Sequence, residues 1–186
     1  ALEAMHTAEG SGFMAAFSAE RRRKLRAERR RVAESGLRIE VRHGDEIDRG
    51  EWPALHALYA STFDKYGNYA AFTAQCFTDL AAALGRRMVL FIARADGVPV
   101  ALSICFRSAD TLYGRYWGTS GNYHSLHFEL CFYQGIDYCL REGLAIFEPG
   151  AGGEVELGQR NNVGDRRADR RDRCVAEQHG AGHGQR

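Results

Sequence analysis

The sequence predicts a mixed α/β (α+β) fold, with one central, mostly antiparallel sheet flanked by helices. Three apolar segments of strand character carry that expectation: Met88 to Arg94, Val100 to Phe106 and Thr111 to Trp117. Only short turns separate them, and connections that short join antiparallel neighbours. On either side lie segments of helical period that stop at Gly36, Gly85 and Gly143, and no stretch repeats another.

The elements follow in order. Residues 13–34 contain no Gly or Pro and are dense in Ala, Arg, Glu and Lys, all strong helix formers. Ser18 is placed to cap a helix running to about Glu34. Its apolar stripe is thin: Phe13, Phe17, Leu25 and Val32. The remainder, RRRKLRAERRR over 21–31, sets eight basic side chains against Glu28 alone. Such a helix buries one narrow edge and keeps its charges in water or against an anionic partner. Leu37 to Arg42 alternates apolar and polar, the period of a half-buried strand. A second helical region opens at Asp45 to Ile47, placing Trp52, Leu55, His56, Tyr59 and Phe63 on one face. Pro53 fits its first turn. After Gly67 and Asn68, residues 70–84 form another helix.

The three-strand meander comes next. Asp96-Gly97 supplies a tight hairpin turn between its first two strands, and Ser108 to Asp110 turns into the third. Ser125 to Arg141 returns to helical spacing, with Leu126, Leu130, Tyr133, Ile136, Asp137 and Leu140 near one stripe. Leu144 to Phe147 reads as a further short buried strand.

Composition bounds the rest. With 186 residues, 45% of them hydrophobic and 26% charged, the chain has room for one ordinary domain. The net charge of +1 conceals the basic run at 21–31 and excludes nothing about partners. Five cysteines, an odd number with no C-x-x-C pair, fit a reduced, cytoplasmic protein. No apolar run reaches the roughly 18 residues of a membrane helix, so no membrane span is expected. The N-terminus lacks a charged leader and a cleavage pattern, so nothing directs export. From Glu154 to Arg186 there is no aromatic residue, and acids nearly balance bases. That segment buries too little to offset the entropy of ordering. The expected organisation is a flexible lead-in at 1–12, a domain at 13–153 with the basic helix at 13–34, and a disordered or frame-shifted tail at 154–186.

Four stretches together resemble one family: RRRKLRAERRRVAESGLRI, VLFIARADGVPVALSICF, DTLYGRYWG and LHFELCFYQGIDYCLREGLAIFEPGAGGE. The combination is similar to the Fem-like N-acyltransferases (FemAB-like), a branch of the GNAT superfamily of N-acetyltransferases. The resemblance covers roughly residues 17–154 and implies a GNAT-like acyltransferase fold. Members look like two GNAT-type halves, of which this chain resembles the second, so the resemblance implies a missing N-terminal half. In the family the stretch like GAGGE leads into a Lys- and Arg-containing segment and then an aromatic strand. Here EVELGQRNNVG stands instead, as a frame shift or truncation would leave it.

The resemblance implies transfer of an acyl or aminoacyl group, from acyl-CoA or an aminoacyl-tRNA as co-substrate, to an amine on a small molecule or peptide. No permanently bound cofactor is implied. GNAT enzymes hold a pyrophosphate on backbone N–H groups where a strand enters a helix. The equivalent junction here is YGRYWGTSGNYHSLHF, where Arg115, Gly118, Thr119, Ser120 and Gly121 loosely match the superfamily's loop. The alternative for these five is an ordinary strand end and glycine-rich loop. An acyl transfer also needs a base and an oxyanion donor, for which Glu129, Tyr133, Glu148 and His127 are the candidates, with Tyr116 nearby. Glu129 and Tyr133, four apart, share a helix face and are placed to point into one cleft beside Arg115. His127 points elsewhere, as a packing or capping residue would, and Glu148 follows a strand end where a surface carboxylate is equally at home. His124, His127 and Glu129 lack a fourth ligand, so no metal site is expected. Cys131 and Cys139 read as buried thiols without a cation to activate them.

Three functions stay open on the sequence. One is an N-acyltransferase domain, with tRNA contacted through Arg21–Arg31. Another is a nucleic-acid-binding module built on that same helix. The third is a non-catalytic fragment of a larger transferase.

Overall fold

The computed structural model describes residues 18–65 and 67–150, together with the backbone of Val155–Glu156. The expectations for the lead-in, for Phe13 and Phe17 and for 157–186 lie outside the described residues.

Helix α1 spans Ala19–Glu34 and starts as its sequence suggests: Ser18 is extended, and its Oγ accepts the Arg21 N–H at 3.3 Å. That bond satisfies one of the orphan donors of the first turn. Gly36 ends it with φ +77°, a left-handed conformation that glycine adopts without a Cβ penalty. Strand β1 (Arg38–His43) runs into a 3₁₀ turn, Gly44–Glu46. The second helical region does not continue from there. Helix α2 begins at Trp52 and ends at Lys65. Helix α3 covers Ala74–Leu84, later than residue 70, because the Thr73 hydroxyl caps it by accepting the Cys76 N–H at 3.2 Å.

Strands β2 (Met88–Ala95), β3 (Val98–Arg107) and β4 (Thr111–Thr119) form the expected meander. Asp96 and Gly97 both have positive φ (48° and 83°), the backbone that matches a two-residue hairpin turn to strand twist. Beyond β4 one helical rod crosses the sheet. It is built from α4 (Leu126–Phe128), a π-helical turn (Glu129–Tyr133) and α5 (Gln134–Glu142). Gly143 ends it at φ +69°. Strand β5 is Ile146–Glu148, two residues later than the sequence suggests, and β6 is Val155–Glu156.

All six strands make one sheet in chain order. Every neighbouring pair is antiparallel except β4 and β5, which run parallel. The expected mostly antiparallel sheet is therefore present, and β6 extends it past the boundary drawn at 153. The sheet is buried on both faces, which explains the unbroken apolar run of β2 from Met88 to Ala93. Val89, Phe91, Cys105 and Leu112 pack under the α4–α5 rod and Val32 of α1. Met88, Leu90, Ile92, Leu102 and Ile104 pack under α2 and α3 through Trp52, Leu55, Tyr59 and Phe77. On that side the rings of Trp52 and Phe77 stack with centroids 5.8 Å apart.

Helix α2 lies directly on β4 at Gly118. A Cβ added there would come within 1.8 Å of the Leu58 carbonyl oxygen, a backbone atom that cannot step aside. The Ser61 and Thr62 hydroxyls strengthen the seam by donating to the carbonyls of Thr119 (3.0 Å) and Trp117 (2.6 Å). Gly118→Ala is therefore expected to destabilise the fold by at least about 2 kcal/mol through overpacking. Gly50→Ala, where nothing lies within 4 Å, should change stability by less than about 0.5 kcal/mol. Urea unfolding of the two variants makes the comparison.

Candidate functional site

The inner face of α1 is the stripe Leu25, Glu28, Arg29 and Val32, the i, i+3, i+4, i+7 spacing of one helix side. Its two ends, Leu25 and Val32, are buried, Val32 within the apolar core. Its two central positions are charged and meet the π turn. Arg29 Nη2 lies 2.7 Å from Asp137 Oδ2 and 3.3 Å from Glu129 Oε1. The Tyr133 hydroxyl donates to Glu28 Oε2 at 2.6 Å, and the Arg29 guanidinium sits 5.9 Å from the Tyr133 ring centroid. Gln134 Nε2 donates to Glu129 Oε1 at 2.8 Å, across the five-residue step of a π-helix.

The Glu129 carboxylate is only 3% exposed, and its Oε2 has no hydrogen-bond partner among the described residues. Burial therefore raises its pKa above the ordinary value, against the pull of Arg29 and the Gln134 amide, and with a further push from Asp137. Burial and the Glu28 carboxylate likewise push the Tyr133 hydroxyl up. Glu129 and Tyr133 do share a face, as their spacing suggests. That face is covered by Glu28 and Arg29 of α1, so the cleft expected beside it is filled.

Arg115 and Glu148 lie at a different place, each adjoining Tyr113 where β4 and β5 part. The parallel pairing lasts three residues: Thr111 with Ile146, Leu112 with Phe147 and Tyr113 with Glu148. Against β3, Cys105 pairs with Gly114 and Ile104 with Tyr116, so Arg115 has no opposite residue and forms a β-bulge. Bulges bend a strand and re-aim side chains. The Arg115 guanidinium lies 5.4 Å from the ring centroid of Tyr113, the neighbour of Glu148 across the strand pair. Pro149 then crosses close to Gly114: a Cβ at that glycine would stand 2.8 Å from the Pro149 carbonyl oxygen. Beyond this point β4 continues to Thr119 paired with β3 and no longer with β5.

The loop after β4 is tied back to the sheet. The Ser120 N–H donates to the Val100 carbonyl (2.9 Å), the Thr119 hydroxyl to the carbonyls of Gly121 (2.9 Å) and Val100 (3.2 Å), and the Ser120 hydroxyl also to Val100 (3.2 Å). Gly118 is packed against α2, and Gly121 lies against the Tyr123 ring. Tyr116 faces the other way, in an aromatic cluster with Tyr59 (5.2 Å) and Phe72 (6.0 Å). The His127 ring meets Trp117 edge-on at 5.1 Å, and partial desolvation lowers its pKa. His124 Nδ1 is 2.7 Å from the Ser125 hydroxyl. Among the described residues no set of three His, Cys, Asp or Glu side chains converges on a metal position. Burial pushes the Cys131 and Cys139 thiols up to about 12 each. None of the described helices is long and apolar enough to cross a membrane.

Sequence reasoning missed the inward roles of Glu28 and Arg29, although their positions midway between Leu25 and Val32 mark the buried stripe. It also missed a hydrogen-bonded line from Glu46 through His43 and Tyr138 to Arg107. These residues are up to 95 positions apart, so no local pattern joins them.

A model of the FemAB-like family, described as peptidoglycan biosynthesis and recognition, matches residues 4–160. No curated protein matches the sequence. Among solved structures, the chain is similar to the C-terminal DUF2156 domain of an Agrobacterium fabrum protein designated a lysylphosphatidylglycerol synthetase. The TM-score is 0.52 at 14% identity, covering 77% of this chain and 44% of that one. This chain thus spans less than half the length of that structure. The likeness shows a shared fold, a mixed α/β sheet flanked by helices.

The buried Glu129 carboxyl gives a pH test. Because its native pKa is raised, the folded state holds this proton more tightly than the unfolded state does. The stabilisation is complete below the ordinary glutamate value of 4.5 and is lost as pH rises through the raised native value. Unfolding free energies measured from pH 4 to pH 7 should show wild type losing stability relative to Glu129→Gln as pH rises. A wild type that gains on the variant instead would mean that the Arg29 ion pair outweighs burial.

Proposed function

This chain belongs to the FemAB-like family, and from that premise we propose that it is the donor-binding part of a transferase. The reaction moves an aminoacyl group from aminoacyl-tRNA to an amine, with a peptidoglycan precursor as the acceptor class that the family description suggests. The observation that carries this reading is the parting of parallel β4 and β5 beside the bulged Arg115 and Glu148. Both strands present their carboxyl ends to that opening, the place where sheets with parallel strands take ligands.

In the transfer, a neutral amine attacks the carbonyl carbon of the ester. A C–N bond forms, the C–O bond to the ribose breaks, and the proton on the attacking nitrogen must leave. In this reading Glu148 accepts that proton, and Arg115 stabilises the oxyanion of the tetrahedral intermediate. Helix α1 supports tRNA over a smaller donor: Arg23, Lys24, Arg26, Arg30 and Arg31 are all exposed on it, a row suited to a phosphate backbone. Acyl-CoA is the competing donor. A nucleic-acid-binding module without chemistry is the competing function, since it would use the same helix.

The test uses tRNA charged with a labelled amino acid, a peptide amine and the full chain, with tRNA binding read beside transfer. Glu148→Gln should slow transfer about 100-fold while leaving tRNA affinity in place. Arg30→Ala with Arg31→Ala should weaken tRNA binding and reduce the salt slope by about 2. Binding without transfer, unchanged by Glu148→Gln, would favour the module. Transfer from acyl-CoA alone would replace the donor.

A further inference from the structure

The turns at the Arg107 end of β3 and the start of β2 enclose an open cleft of about 820 Å³, lined by Arg86, Arg87, Arg107, Ser108, Ala109 and Glu142. Pairing of Met88 with Phe106 brings the two turns side by side. Strand β4 starts at this end of the sheet and parts from β5 only beyond Tyr113, so the cleft is separate from the β4–β5 opening. We propose that this cleft is a second ligand site, which takes a phosphate group of a small molecule, a phosphomonoester or diphosphate.

The guanidinium of Arg107 is held more firmly than a surface ion pair requires. Its Nη1 donates to Tyr138 Oη at 3.0 Å and to Glu142 Oε2 at 2.9 Å. Tyr138 Oη is in turn 3.2 Å from His43 Nε2, and His43 Nδ1 is 3.2 Å from Glu46 Oε2. Tyr138 and His43 are 1% and 7% exposed, so the line that fixes Arg107 runs through the protein interior. Both of Arg107's hydrogen bonds use Nη1. Among the described residues Nε and Nη2 have no partner, which leaves an oriented pair of donors on the cleft wall.

Arg86 Nη1 approaches Glu46 Oε1 at 3.5 Å with a side chain 62% exposed, a loose pair that leaves donors available. Arg87 is exposed and makes no ion pair among the described residues, so it contributes charge to the cleft without serving the fold. Three guanidiniums therefore stand against the carboxylates of Glu142 and Glu46, each already engaged. Asp110 is nearby, accepting from the Ser108 and Thr111 hydroxyls, and Asp45 lies beside Gly85. Guanidinium forks match phosphate oxygens two at a time. A phosphoryl group has enough oxygens to engage two or three forks together, whereas a lone carboxylate engages one. The volume far exceeds a phosphate, leaving room for the body of the molecule that bears it.

Calorimetric titration of the full chain with inorganic pyrophosphate, at about 0.15 M salt where diffuse attraction is screened, tests the site. Inorganic phosphate and a mixed-sequence ribonucleotide octamer serve as comparison ligands. Saturable pyrophosphate binding with Kd below about 1 mM is expected. Arg87→Ala should raise that Kd about tenfold without changing the unliganded Tm, because Arg87 is exposed and makes no ion pair among the described residues. Tyr138→Phe should raise it about threefold by releasing Arg107, and Arg30→Ala on α1 should leave it unchanged. The proposal is overturned by absence of pyrophosphate binding, by an unchanged Kd in Arg87→Ala, or by binding of the octamer alone. Equal weakening by Arg30→Ala would also overturn it, as nonspecific charge attraction. None of these readouts involves aminoacyl transfer, so the transferase reading stands or falls separately.

Discussion

One guanidinium shared between two buried carboxylates decides where α1 lies. The helix has 16 residues and buries only Leu25 and Val32 as apolar anchors. At about 1.5–3 kcal/mol for each fully buried aliphatic side chain, those two contacts alone hold such a helix weakly and fix its rotation poorly. Arg29, between Glu129 and Asp137, fixes both rotation and register. The arrangement is tolerable only as a set. Glu129 and Asp137 are each 3% exposed, and like charges that close and that dry repel strongly unless a cation stands between them. The basic outer surface of α1 is presented in one orientation because its inner surface has only one electrostatically acceptable seat.

The π turn is the other half of that seat. In it, Gln134 reaches Glu129 across five residues, and Tyr133 remains free to take Glu28. The inserted residue also changes the phase of everything that follows. An α-helical stripe continued from Leu126 and Leu130 runs through Tyr133 and Asp137, yet Tyr133 and Asp137 face α1 while Tyr138 and Cys139 enter the core. Residues 135–140 are all buried because the rod is gripped on two sides, by the sheet and by α1. Gly135 shows how tight that grip is, since a Cβ there would meet the Phe147 ring at 2.3 Å.

What the sequence discloses and what it hides divide along chain separation. The Ser18 cap, the Asp96-Gly97 turn and the β2–β4 meander are written in neighbouring residues, and all stand where the pattern puts them. The stretch ELCFY, by contrast, has no local feature to distinguish a π turn from an α turn; contacts to Glu28 and Arg29, some 100 positions earlier, select it. Glu148 reaches Tyr113, two residues before Arg115, through a parallel pairing that only the crossover helix creates. Gly118 carries a mixed message for the same reason. A glycine at a strand end looks like room for a ligand's phosphates, but here it is room for the backbone of α2.

The two polar lines of the interior converge on consecutive residues of α5. Asp137 belongs to the seat of α1, and Tyr138, the next residue, to the line that holds Arg107. Successive positions on a helix are about 100° apart, so one turn of α5 faces the basic helix with one side chain and the arginine cleft with the next. Neither side chain can shift by much without the backbone they share, which is also packed against Phe91 through the Tyr138 ring at 6.1 Å. Groups joined this closely do not contribute independently. The burial of an aspartate and a tyrosine side by side thus has a physical consequence: the orientation of α1 and that of Arg107 are set by the same few atoms of backbone.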